Sequence, residues 1–173
     1  MQEELETLVL KSQNGDKEAY GKIYNIFLKR IYRFVYYQIQ DHETAQDIAQ
    51  TTFIKIWKAI STFSFDKGSF ESFLFKVAKN LTIDQCRKKK NISFEVTGDL
   101  ASKEDIEENI AKDEEKEIVH LAISKLDKTD KQIVILRYFE ELPTADIAEI
   151  VGIKDGALRV RIHRILKKLK NYL

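Results

Sequence analysis

Apolar residues recur every three or four positions along most of this chain. In Glu43–Ile60 they fall at Ala45, Ile48, Ala49, Thr52, Phe53, Ile56, Trp57 and Ile60, which is one unbroken stripe of an amphipathic helix. Asp41 is placed to cap its start. The opposite stripe holds Asp47, Gln50, Thr51, Ile54 and Lys58. A short acid, an amide, a hydroxyl and a bare isoleucine suit a docking surface better than a solvated one. Upstream, Met1–Asn14 reads as a short helix around Leu5, Leu8, Val9 and Leu10, broken and capped by Gly15-Asp16. A long helix then runs from Lys17 to near Gln40 on the stripe Tyr20, Ile23, Tyr24, Phe27, Ile31, Phe34 and Val35, with Lys29, Arg30 and Arg33 on or beside its outer face. Downstream, Ser61–Ser69 is rich in Ser, Thr and Gly, reads as a loop, and exposes Phe63 and Phe65 near Asp66 and Lys67. Phe70–Lys90 is the next helix, with Phe70, Phe73, Leu74, Val77, Ala78 and Leu81 inside and Lys76, Lys79, Asn80, Asp84, Arg87 and Lys88 largely outside.

The same period returns later. Glu114–Leu126 predicts a helix with Ile118, Leu121, Ala122 and Leu126 inward, followed by a segment that buries Ile133, Val134, Leu136 and Phe139. Pro143–Lys170 then reads as a helix-turn-helix. Its first helix turns Ile147, Ala148 and Val151 inward, Gly152 supplies the turn, and its second helix buries Leu158, Ile162, Ile165 and Leu169. Either Thr144 caps the first helix or Pro143 takes its first helical position. The fold class is therefore all-α.

Composition sharpens this picture at a few points. The chain has 173 residues, 43% hydrophobic and 33% charged, with only 6 Gly and 1 Pro, as a soluble helical protein should. Net charge is +1, but it is unevenly spread. Residues 1–94 hold 15 Lys/Arg against 11 Asp/Glu, residues 95–117 hold 3 against 10, and residues 118–173 hold 11 against 7. Two mildly basic blocks flank an acidic connector. The expected layout is one domain over 1–91, an acidic flexible linker over 92–113 and a second domain over 114–173. Fully extended, that linker reaches about 75 Å at roughly 3.4 Å per residue. One DNA turn is about 34–36 Å, so the two basic blocks can sit more than a turn apart on a duplex. Single Cys86 excludes an internal disulfide, and no apolar run is long enough to span a bilayer, so a cytoplasmic protein without membrane insertion is expected. His42, His120 and His163 are scattered and share no metal-ligand spacing with Cys86. No Gly-rich phosphate loop, GxSxG or HExxH occurs. No catalytic residue, metal or cofactor is expected, and the chain does not read as an enzyme.

The motifs point to a family. DIAQTTF followed by Trp57 resembles the D-x-x-Q-x-T-F-x-x-x-W signature of bacterial sigma factors of the sigma-70 family, its short extracytoplasmic-function (ECF) class fitting best; Asp47, Gln50, Thr52, Phe53 and Trp57 carry the match. Thr51 stands where the family often has an acid. Phe70–Arg87 resembles F-x-x-W-L-x-x-[IV]-A-x-N-x-x-x-D-x-x-R, with Phe73 in place of the usual tryptophan. The segment Pro143–Arg161 resembles the helix-turn-helix of sigma region 4, with Pro143 and Lys154 in place of the usual capping serines and Ala157 in place of threonine. The resemblance spans nearly the whole chain.

It implies a dissociable subunit of RNA polymerase that directs promoter recognition and transcription initiation. Asp47, Gln50, Thr51 and Ile54 would dock on the clamp helices of the beta-prime subunit, and the second domain on the flap of the beta subunit. Phe63, Phe65, Asp66 and Lys67 of the loop, with Lys76, Lys79, Asn80, Arg87 and Lys88 of the following helix, would bind the −10 element. Unstacked bases need aromatic or amide partners, and phosphates need Lys or Arg. Lys154, Ala157, Arg159, Val160, Arg161, His163 and Arg164 would meet the −35 element. On a wheel with Leu158, Ile162, Ile165 and Leu169 inward, Ala157, Val160 and Arg164 face the groove. Arg159 and His163 then lie on one flank and Arg161 on the other, where phosphates run. The resemblance also implies an anti-sigma protein as a partner. The alternative reading is a stand-alone helix-turn-helix regulator, which need not bind core polymerase.

Overall fold

The computed structural model describes residues 2–93, 119 and 121–172, which are mainly helical, with no strand among the described residues. The linker expected over 92–113, its acidic stretch, and Ile118 and His120 fall almost wholly outside them. Helix α1 spans Gln2–Gln13. Asp16 caps α2 (Lys17–Ile39) by accepting a 3.0 Å hydrogen bond from the Ala19 N–H. Gln40 ends α2 in the left-handed region, at φ 54°. Asp41 then caps α3 (His42–Ala59) from the Thr44 N–H at 2.8 Å, as the sequence predicts.

The 61–69 segment is more ordered than a plain loop, because tight 3-10 turns over Ile60–Thr62 and Phe65–Lys67 shape it. Gln13 Nε2 pins it by donating to the Ile60 carbonyl at 2.9 Å and the Phe63 carbonyl at 2.8 Å. Helix α4 (Phe70–Ser93) starts where the Ser69 hydroxyl accepts from the Ser72 N–H at 3.0 Å. Helices α1, α3 and α4 pack around α2, whose Ile23, Phe27, Ile31, Phe34 and Val35 are buried. Each such aliphatic or aromatic side chain contributes about 1.5–3 kcal/mol by leaving water.

The second block begins with a helical turn over 121–124. Here the expected stripe is corrected. Leu121 is 63% exposed, while Ile123 joins Ala122 and Leu126 in the interior. Asp127 caps α5 (Lys128–Val134), which widens into a π-turn over Ile135–Phe139. Ile133, Val134 and Leu136 are buried as predicted, whereas Phe139 is only half-buried. Helix α6 (Thr144–Val151) has Pro143 at the N-cap itself, so neither Thr144 nor a first-turn proline starts it. Gly152, at φ 77°, makes the turn to α7 (Asp155–Lys170). The positive φ favours glycine there.

The two blocks are closed on each other, with α6 against α4 and α5 against α2. This closure buries residues that no single helical stripe marks, among them Ser72 and Ile150. No described helix is long and apolar enough to cross a membrane.

Candidate functional site

Helix α3 presents two faces. Inside, the Thr52 hydroxyl donates back to the Ile48 carbonyl at 2.7 Å, and Phe53 and Trp57 meet Tyr24 and Tyr20, each with ring centroids 4.8 Å apart. The Tyr20 hydroxyl also donates to the Phe53 carbonyl at 2.5 Å, and burial pushes its pKa up. Outside, Asp47, Gln50 and Ile54 are exposed and Thr51 is half-buried. Ile54, at 56% exposure, has no apolar cover. Beside this stripe lies a cleft of about 490 Å³ lined by Tyr24, Leu28, Tyr32, His42, Gln46 and Gln50. His42 is not a lone surface histidine as its sequence position suggests: its Nδ1 is 2.5 Å from the Tyr32 hydroxyl, and its ring lies 5.2 Å from that of Tyr36.

The expected −10 residues divide. Phe63 and Phe65 are half-buried and not freely exposed. Phe63 stacks on Phe73 at 5.2 Å and meets Phe65 and Phe70 edge-on at 4.9 and 5.4 Å. Phe73 therefore keeps an aromatic packing role. Asp66, Lys67, Asn80, Arg87 and Lys88 are exposed. Lys76 and Lys79 are turned toward the second block. Lys76 Nζ is 2.7 Å from Glu149 Oε1, and Lys79 Nζ donates to the Ile150 carbonyl. Partial burial lowers the Lys79 pKa, with the Lys76 charge adding to the effect.

Arg30 and Arg33, expected on or beside an outer face, are engaged by the second block. Both bind Glu140, whose side chain is fully buried: Arg30 Nε lies 2.8 Å from Oε2 and Arg33 Nη2 lies 2.7 Å from Oε1. Arg30 also reaches Glu71 at 2.7 Å. Burial works to lower its pKa, but Glu140 and Glu71 outweigh that and raise it. Ser69 donates to Asp146 at 2.7 Å, Ser72 to Glu149 at 2.8 Å and Gln132 to Gln38 at 2.6 Å. Lys76 first, then Ser72, hold the Glu149 carboxyl below its ordinary pKa against the opposing effect of burial. Nothing in the sequence pattern singles out Glu140 or Glu149, since each reads as an ordinary surface acid.

On α7, Ala157, Arg159, Val160, His163 and Arg164 are exposed, as is Lys154 before it. Val160 is 53% exposed and forms the apolar centre of this face. Arg159 makes only a surface pair with Asp155 at 2.9 Å. Arg161, expected on a phosphate flank, is ion-paired in this structure. Its Nε lies 2.7 Å from Asp130 Oδ1 and its Nη2 lies 3.1 Å from Asp127, so the guanidinium ties α7 to the start of α5. Lys168 reaches the other Asp130 oxygen at 2.8 Å. Burial works to raise the Asp130 carboxyl, but the bonds from Lys168 and Arg161 prevail and hold it below its ordinary pKa. A wholly apolar cleft of about 170 Å³ opens between Val134, Tyr138, Phe139, Leu166 and Leu169. Among the described residues no cluster of His, Cys, Asp and Glu could hold a metal ion.

Comparison with known proteins gives two family matches. Sigma-70 region 2 matches residues 23–92, and sigma-70 region 4 matches residues 116–169. The RNA polymerase sigma-H factor of Pseudomonas aeruginosa is 31% identical over 175 residues, covering 94% of this chain and 90% of its own. The ECF RNA polymerase sigma factor BldN of Streptomyces coelicolor is 25% identical over 170 residues, covering 96% of this chain; the chain spans 64% of BldN's length. The fold is similar to that of the sigma factor RpoE in its complex with the anti-sigma factor NepR from Bartonella quintana. There the TM-score is 0.77 at 20% identity, over 88% of this chain and 95% of that one.

Proposed function

Because the chain belongs to the ECF class of the sigma-70 family of RNA polymerase sigma factors, we propose that it docks on core RNA polymerase through the outer face of α3 and directs initiation at promoters read by α4 and α7. The family is one of transcription initiation factors and not a known class of enzymes. On this reading Asp47, Gln50, Thr51 and Ile54 meet the clamp helices of the beta-prime subunit. The apolar cleft beside Tyr138 and Leu166 takes the flap of the beta subunit. The 61–69 segment and α4, with Lys76, Lys79, Asn80, Arg87 and Lys88, hold the melted non-template strand of the −10 element. Ala157, Val160 and Arg164 enter the groove at −35. The sites belong to a first domain over 1–91 and a second over 114–173. Such a subunit works in the cytoplasm, where an anti-sigma protein can sequester it. Melting comes from binding energy, by capture of unpaired bases, and needs no catalytic group.

The observation that carries the docking reading is the contrast on α3. A complete buried stripe fixes the helix, while a bare isoleucine and two polar residues stay open on its back even with the second block closed down. The double substitution D47A/Q50A should leave stability within about 0.5 kcal/mol, as for ordinary surface changes. Co-elution with core polymerase on size exclusion should fall sharply. Undiminished binding by the folded double mutant overturns the docking assignment. If the unsubstituted chain fails both to bind core and to support run-off transcription, the stand-alone regulator reading takes its place.

A further inference from the structure

We infer that Gly68, Ser72 and Lys76 form a cradle for a backbone phosphate of the single strand, and that Glu149 of the chain's own α6 occupies it in the closed protein. The inference rests on the −10 reading above and adds to it a ligand position and a competitor. Three observations converge on the cradle. The Glu149 carboxylate sits 2.7 Å from Lys76 Nζ and accepts a 2.8 Å hydrogen bond from the Ser72 hydroxyl. It also lies against the backbone at Gly68, where an added Cβ would come within 3.0 Å of Oε2. Gly68 has φ +136°, a backbone conformation that disfavours a side chain. A cation, a hydroxyl donor and a bare stretch of backbone are what a phosphate oxygen needs.

The surrounding contacts have the same character. Asp146 accepts from the Ser69 hydroxyl, and the Ile150 carbonyl accepts from Lys79. Helix α6 thus brings two carboxylates and a carbonyl to a face whose other expected ligand is a polyanion. The pairing is loose by construction, since the Lys76 and Glu149 side chains are 40% and 37% exposed. Exposed pairs are screened by water and salt, so a run of phosphates can displace them. The α3 docking stripe and the α7 groove face are not covered by this closure. Only the −10 face is contested.

The test uses the full chain carrying D146N and E149Q, beside a control with the same charge change on α1, E4Q/E6Q. Small-angle scattering reports domain opening, and fluorescence anisotropy reports affinity for a labelled single-stranded DNA oligonucleotide of randomised sequence. The interface variant should expand, and its affinity should rise roughly three- to tenfold, because a closed fraction lowers apparent affinity in proportion. The control should do neither. If the interface variant stays as compact as the unsubstituted chain, or gains no more affinity than the control while opening no further, the inference fails. Opening without any gain in affinity supports the latch and instead overturns the assignment of this face to the −10 strand.

Discussion

Asp130→Asn is expected to loosen the recognition helix from within its own domain. Asp130 is 2% exposed and receives Arg161 Nε at 2.7 Å and Lys168 Nζ at 2.8 Å, one on each oxygen. Asparagine keeps the shape and one acceptor but loses the charge and turns a donor toward a cation. A hydrogen bond to a charged group contributes about 1.5–3 kcal/mol when well shielded. The Arg161 side chain is 35% exposed and retains Asp127 as a partner, so the figure must be discounted for screening. About 1–2 kcal/mol remains for the Asp130–Arg161 pair. A unit of 60–100 residues shifts by about 4–8 °C per kcal/mol, so a clear drop in melting midpoint follows. Circular dichroism melts of the full chain at neutral pH measure it. Titration adds a signed check. The Asp130 pKa is depressed in the folded protein, so its stabilisation is present above the ordinary carboxylate value and is lost as pH falls through the depressed one. The gap between the unsubstituted chain and D130N should therefore hold at neutral pH and narrow in acid, below roughly pH 4. A shift no larger than the roughly 0.5 kcal/mol of surface changes refutes the reasoning. So does a gap that survives unchanged in acid.

Two further outcomes are expected at the DNA-reading faces. Replacing −35 thymines one at a time with deoxyuracil should weaken binding at the position opposite Val160, because an apolar side chain in the major groove can contact only the thymine methyl; the difference should vanish in V160A, and if no replacement matters the groove-centre assignment is wrong. Exchanging the 61–69 segment for one of different sequence should change the preferred −10 base in a promoter library and leave −35 preference in place; an unchanged −10 preference makes the segment only a connector.

The helices of this chain were legible because each is written locally. Asp16 and Asp41 stand where caps are needed, and the α2 and α3 stripes repeat at the helical period without interruption. What the pattern could not show is burial created where one helix meets another. Phe75 lies off the α4 stripe, yet it packs edge-on against Phe34 at 5.3 Å with the Arg30 guanidinium over its ring. Ile150 lies off the α6 stripe and is buried where α6 meets α4. Leu121 fails in the opposite sense, since the wheel turned it inward and its neighbour Ile123 holds that place. A wheel gives the direction of a side chain but not its partner. That is why Arg161 looked free to meet a phosphate, although a buried acid 31 positions earlier in the chain holds it.

The charged residues bear most directly on function, and here sequence and structure complement each other. By sequence, Arg30, Arg33, Lys76 and Lys79 lie on or beside the outer faces of their helices, while Glu140, Asp146 and Glu149 are unremarkable acids in a block of net positive charge. Folding pairs the two sets across the domain boundary through Arg30 and Arg33 on Glu140 and Lys76 on Glu149, with Ser69 on Asp146 beside them. Their positions differ in depth. The Glu140 side chain is fully buried, so opening must return it to water, whereas Glu149 is already partly solvated. Glu149 is accordingly the acid that DNA can contest first. Because the α3 stripe lies outside this boundary, core docking on the proposed reading requires none of these contacts to break, while capture of the −10 strand requires those around Lys76 and Lys79 to part. Affinity for single-stranded DNA is then held down in the free chain and released by whatever draws the second block away.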